Sequence, residues 1–117
     1  MNEAAIVEAV RTPIARGKPV VGDLSVFHAT QLLALSIKGV IQNARIDFDD
    51  IEQVYGGCVT QAGEQAGNVS RITWLSLGEN WTTGACTIDT QCGPKIARGV
   101  QGSPCTQRNV RLEGFRD

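Results

Sequence analysis

The chain is built toward Cys86-Thr-Ile-Asp-Thr-Gln-Cys92-Gly93. Thr87, Ile88 and Thr90 are β-branched, which favours extended backbone, so residues 85–91 are predicted to form a strand. The run stops at a cysteine followed by glycine, a turn signal. A strand that ends at Cys92, with room for a helix to begin beyond it, suits a nucleophile. Free N–H groups at a helix start favour thiolate over thiol, and the thiolate is the form that attacks acyl carbon. The same residue also fits plain packing, because free cysteine is among the most buried residue types.

Upstream, Val54-Tyr-Gly-Gly-Cys-Val-Thr60 reads as another strand, with Gly56 and Gly57 permitting close approach of a neighbouring backbone and Cys58 expected in the core. Between the two strands Asn68 is expected to cap a helix running to about Leu77, with Ile72 and Leu75 inward and Gly78 as its stop. Trp74 and Trp81 offer apolar area for core or interface. Earlier still, Ser25 is the expected cap of a helix over 26–43, whose apolar face is Leu32, Leu33, Ile37, Val40 and Ile41. His28 falls in its first turn and reads as a surface or capping residue. Residues 4–10 are apolar on both faces and predict a first, buried strand, ended by Pro13. Strands alternating with helices imply an α/β fold, a βαβαβ order with a parallel sheet, and a reactive site at the carboxyl ends of the strands.

Composition narrows the function. The 117 residues suit one small domain, and 42% hydrophobic with 20% charged content suits a globular chain. A formal net charge of −1 gives no field for nucleic acid or an anionic membrane. No run approaches the roughly 20 apolar residues of a membrane span, and no signal peptide is evident, so a cytoplasmic setting with reduced thiols is expected. The four cysteines form no C-x-x-C pair and the chain has one histidine, so no metal site is expected. The acidic run over 45–53 fails the calcium-loop pattern and reads as a solvated connector with a helix cap.

Three motifs stand in order over residues 4–93: Glu8-Ala-Val-Arg-Thr-Pro13, then Tyr55-Gly-Gly-Cys-Val-Thr-Gln-Ala-Gly-Glu-Gln65 with Asn68-Val-Ser-Arg71, then Thr87-Ile-Asp-Thr-Gln-Cys92-Gly93. Together they resemble the N-terminal part of thiolases, the last motif being similar to the one that ends in the acyl-accepting cysteine. The resemblance implies thiolysis of a 3-oxoacyl-CoA or its reverse, Claisen condensation, with Cys92 as the catalytic nucleophile. It implies a coenzyme A thioester as substrate and no resident cofactor, and leaves the cofactor-binding residues unassigned. The Gly-Gly-Cys-Val-Thr-Gln block is most similar to acetyl-CoA acetyltransferases and to steroid or fatty 3-ketoacyl-CoA thiolases of bacteria. A catalytic histidine, a second cysteine and an asparagine-held water are also implied, all later than residue 93. Thiolases usually carry glycine where Ala15 stands, a strained exchange if that position needs a positive φ.

After Gly93 the expected serine, glycine and long helix give way to Pro94-Lys-Ile-Ala-Arg-Gly-Val-Gln-Gly-Ser-Pro104. Residues 1–93 carry a formal −4 and residues 94–117 a formal +3. The expectation is thus an incomplete thiolase-like N-terminal domain over 1–93 and an irregular, poorly ordered basic tail over 94–117, from a shifted frame, an aberrant splice or a gene remnant. Such a chain is expected to be inactive alone. The alternative is a non-enzymatic fragment that pairs with itself, as a homo-oligomer, or with a full-length thiolase subunit, since an unfinished sheet leaves apolar faces to cover. A redox role for Cys92 lacks an evident resolving cysteine, although Cys86 is close in sequence.

Overall fold

The computed structural model describes residues 5–89 and 91. Its elements run in the order α1 (Ala29–Ala44), β1 (Gln53–Gly57), α2 (Val69–Ser76) and β2 (Gly84–Ile88), with 3-10 turns at Phe48–Asp50 and Gly63–Gln65. The strands pair in parallel, from Gln53 opposite Gly84 to Gly57 opposite Ile88. The α2 helix is the crossover between them, so the α/β class and the parallel sheet follow the expectation.

The core centres on Trp74, 1% exposed, and includes Ile41 and Val69. Phe48 meets the Trp74 ring at a centroid distance of 5.6 Å in a tilted arrangement, and the indole N–H donates to Asn80 O at 2.6 Å. The indole therefore buries a large apolar body while its one donor stays satisfied. One turn earlier on the same face, α2 lies very close to β1. A Cβ at Gly56 would overlap Ser70 Oγ, so only glycine fits there. The buried face of α2 is Val69, Ser70, Thr73 and Trp74. The expected inward residues Ile72 and Leu75 are instead 45% and 48% exposed. The physical reason is the tight approach to the sheet, which admits serine and threonine where a larger side chain would not fit.

Helix ends show where local chemistry decided. Asn68 takes the left-handed conformation and accepts from Arg71 N–H at 3.2 Å, the expected cap of α2. Gly78, at φ 74, follows the helix as its stop. Helix α1 begins later than expected. Ser25 is held in a turn by its N–H to Gly22 O, and the extended cap conformation falls on His28. Its Nδ1 accepts from Thr30 N–H at 3.3 Å, and Gln31 Oε1 accepts from His28 N–H at 2.8 Å. At the other end Arg45, in the left-handed region, donates to Gln42 O, and Ile46 N–H reaches back to Ile41 O, a Schellman closure built without glycine. The acidic connector forms its own cap, with Asp50 Oδ2 accepting from Asp47 N–H at 3.0 Å.

The first expected strand is corrected. Residues 5–10 form no strand, and Ile6 is 80% exposed. Extended, β-branched backbone becomes a strand only with a ladder partner, and the sheet holds β1 and β2 alone among the described residues. Val10 finds cover, its Cγ2 lying against Gly39 of α1. Ala15 is not among the residues with positive φ; in that loop Val20 is, at φ 69. Cys58, expected in the core, is half-buried, and Trp81, expected in core or interface, is 72% exposed and lies outside the core.

Candidate functional site

The parallel register brings the exits of both strands to one end of the sheet, where Gly57 and Ile88 are partners. In open α/β sheets this is the end at which ligands and reacting groups gather. From β1 the chain enters the loop 58–67. Cys58 Sγ donates to Gln65 Oε1 at 3.2 Å, which ties the strand exit to the Gly63–Gln65 turn. Glu64 of that turn reaches His28, with Oε2 3.5 Å from Nε2, so the start of α1 is fastened to the loop.

From β2 the chain turns at once. Gln91 N–H donates to Asp89 Oδ1 at 2.7 Å, an Asx-type turn, and Gln91 is left-handed at φ 54. Aspartate supplies the local acceptor that lets the backbone leave the strand sharply, directly before Cys92 in sequence. Cys92, the one site residue expected from sequence, lies outside the described residues, as does the tail expected over 94–117.

Behind this exit a polar network fastens β2 to the start of α2. Thr87 Oγ1 donates to Asn68 Oδ1 at 2.7 Å and accepts from Ser70 N–H at 3.1 Å. Ser70 Oγ lies 2.9 Å from the same hydroxyl. Asn68 Nδ2 donates to Ala85 O at 3.0 Å. Asn68 was legible as a cap; its second role as a strap across to β2 was not, because the partner lies 17 residues away in sequence. Arg71, given no role by its sequence, donates to Thr83 O and Trp81 O. The chain's one histidine is engaged as a cap and a loop contact among the described residues. Among the described residues no group of three or more His, Cys, Asp or Glu is placed to hold a metal ion, and no helix is long and apolar enough to cross a membrane.

Residues 4–101 match the family described as thiolase, N-terminal domain. The match runs past Gly93 and includes all three motifs. A steroid 3-ketoacyl-CoA thiolase of Mycobacterium tuberculosis, FadA6, is 37% identical over 97% of this chain and 28% of its own length. A mitochondrial acetyl-CoA acetyltransferase of Danio rerio is 38% identical over 97% of this chain and 27% of its own. A 3-ketoacyl-CoA thiolase of Photobacterium profundum is 39% identical over 82% of this chain and 24% of its own. The chain thus spans about a quarter of the length of the curated relatives it matches.

Proposed function

The chain belongs to the thiolase family as a portion of its N-terminal domain, and on that premise we propose that it carries the acyl-accepting cysteine of a thiolase, Cys92. The Cys92 thiolate attacks the β-carbonyl carbon of a 3-oxoacyl-CoA. The bond between the α- and β-carbons breaks, the shortened acyl group stays on sulfur as a thioester, and the departing acetyl-CoA carbanion takes a proton. The thiol of a second coenzyme A then receives the acyl group and the cysteine is regenerated. The observation that carries this reading is the strand β2 ending in an Asx-type turn immediately before Cys92 in the matched region. Names of the relatives support acetyl-CoA or a 3-ketoacyl-CoA, steroid ones included, as the substrate class. Reduced thiols, with Cys58 free, suit a cytoplasmic setting.

The 117-residue polypeptide alone is proposed to accept acyl groups without turning over. Its one histidine is committed to capping α1, so no described imidazole is available as base. Incubation with a 3-oxoacyl-CoA, followed by peptide mapping by mass spectrometry, is the test. An acyl adduct at Cys92, absent in Cys92→Ser and without sustained release of acetyl-CoA, is expected. Equal acylation of all four cysteines overturns the assignment of Cys92, and continuous thiolysis by this chain overturns the inactivity.

A second reading, an association module, is favoured by α2. Its outer face carries Ile72 and Leu75, and Trp81 beyond the helix is exposed as well. An apolar helix face of this kind seeks cover from a second copy or from a thiolase subunit. A monomer in sedimentation equilibrium at tens of micromolar, together with no binding to a complete thiolase, counts against it.

A further inference from the structure

Helix α1 opens on a histidine ring that serves two elements at once. Thr30 N–H is an orphan donor of the first turn, and His28 Nδ1 accepts from it at 3.3 Å. Thr30 Oγ1 lies 2.8 Å from the same nitrogen. A ring nitrogen that accepts an N–H carries no proton, so the proton of the neutral ring sits on Nε2. Nε2 faces the Gly63–Gln65 turn, 3.5 Å from Glu64 Oε2. The first turn of α1 holds no acidic side chain, and Asp23 upstream makes no ion pair with the ring, so Glu64 is its one ionised partner among the described residues. The two side chains are 47% and 49% exposed, so solvent protons reach the ring freely.

A proton taken up from solvent goes to Nδ1, the ring nitrogen with a lone pair to offer. Nδ1 then donates, and Thr30 Oγ1 at 2.8 Å turns from donor to acceptor to receive it. Thr30 N–H loses its acceptor, and a positive ring now stands at the positive end of a helix. The same charge converts the contact with Glu64 into an ion pair. The two effects have opposite signs and fall on different elements. We propose that His28 is a proton-driven exchange point, which gives up the cap of α1 as it tightens its hold on the loop 58–67. That loop leaves β1 at the end of the sheet where Gly57 and Ile88 are partners, so pH acts on the border of the candidate site through His28 and Glu64. The exchange is independent of acyl chemistry at Cys92 and goes beyond the thiolase reading.

The test is solvent exchange of backbone amides in the whole chain, followed by NMR at about pH 8 and about pH 5.5. These values bracket the ordinary histidine range while a glutamate stays ionised. Rates are read as protection relative to an unstructured peptide at the same pH. On acidification the Thr30 amide is expected to lose about three- to fivefold in protection. The Gln65 and Ala66 amides, which close their turn on Ala62 O and Gly63 O, are expected to gain about twofold. Glu64→Gln keeps an acceptor without the charge, so Thr30 still loses protection and the loop no longer gains. His28→Asn keeps a capping oxygen and takes up no proton, so both responses vanish. Unchanged Thr30 protection in the parent overturns the proposal. So does a parent loop that fails to tighten, a loop that still tightens in Glu64→Gln, or a His28→Asn chain that responds as the parent does. Should a variant fail to fold, the ring nitrogen shifts of the parent decide. A proton on Nε2 alone at about pH 8, joined by one on Nδ1 at about pH 5.5, supports the exchange, and a proton on Nδ1 already at about pH 8 overturns it.

Discussion

Residues 5–27 and residues 67–88 are both rich in small and β-branched apolar side chains, yet one segment is stripped of cover and the other is packed. In the first, Ile6, Ile14, Val20 and Val21 all face solvent. In the second, Ser70 and Thr73 are fully buried and Trp74 nearly so. The difference is not hydrophobicity, since the buried residues include hydroxyls and the exposed ones are aliphatic. It is the presence of partners for the backbone. The 67–88 segment begins at a capped helix and ends in a strand with a ladder, and each side chain then has a fixed surface to meet. The 5–27 segment has turns of its own, such as Gly22 N–H to Lys18 O, but no ladder.

The contrast can be broken most severely at Trp74. Trp74→Ala removes the buried indole and its bond to Asn80, and a loss of about 3–5 kcal/mol is expected, enough to abolish a cooperative urea transition in a domain this small. Next comes Gly56→Ala. Its methyl group would collide with Ser70 Oγ, and about 1–3 kcal/mol of destabilisation is expected from the shift in the urea midpoint. Thr73→Val sharpens the comparison in the other direction. Among the described residues Thr73 Oγ1 is the buried hydroxyl without a partner, and replacing it by a methyl group should stabilise the protein by about 1 kcal/mol, read as a higher melting temperature. Smallest of all, Ile6→Ala should leave stability within about 0.5 kcal/mol, because its side chain is already in water. A large loss there would mean that the first segment is packed after all.

Sequence patterning captured the elements whose signals are local. Asn68 before an eight-residue helix, Gly78 after it and β-branched Thr87 and Ile88 each act within a few residues, and both elements formed close to their expected places. Helix α1 was legible by its apolar spacing, but its start was not. Ser25 and His28 both offer an acceptor, and only the turn through Gly22 excludes the serine. The orientation of α2 was misread because apolar periodicity assumes that a buried face is made of large residues. Here the buried face mixes the hydroxyls of Ser70 and Thr73 with Val69 and Trp74, the serine passing close over Gly56, and Ile72 and Leu75 turn outward. The strand over 4–10 failed for the complementary reason, since composition reports the capacity to pair and not the partner. At the candidate site, the turn at Asp89 was marked only as a coming glycine signal, whereas the carboxylate two residues before Gln91 makes it. Cys92 was singled out by its motif and lies outside the described residues.

Every rung of the parallel pair joins residues 31 positions apart, from Gln53 with Gly84 to Gly57 with Ile88. No rung is local, so none can form early and guide the rest. Closing a loop of that length costs roughly 3 kcal/mol of chain entropy before the first inter-strand bond is made. Folding must therefore bring α2 onto one strand before the other arrives, and the two strands zip together late and in a single step. The close fit of Ser70 over Gly56 is thus also a kinetic feature. It is the contact between adjacent elements on which the long closure can be built, and loosening it should slow folding more than it speeds unfolding.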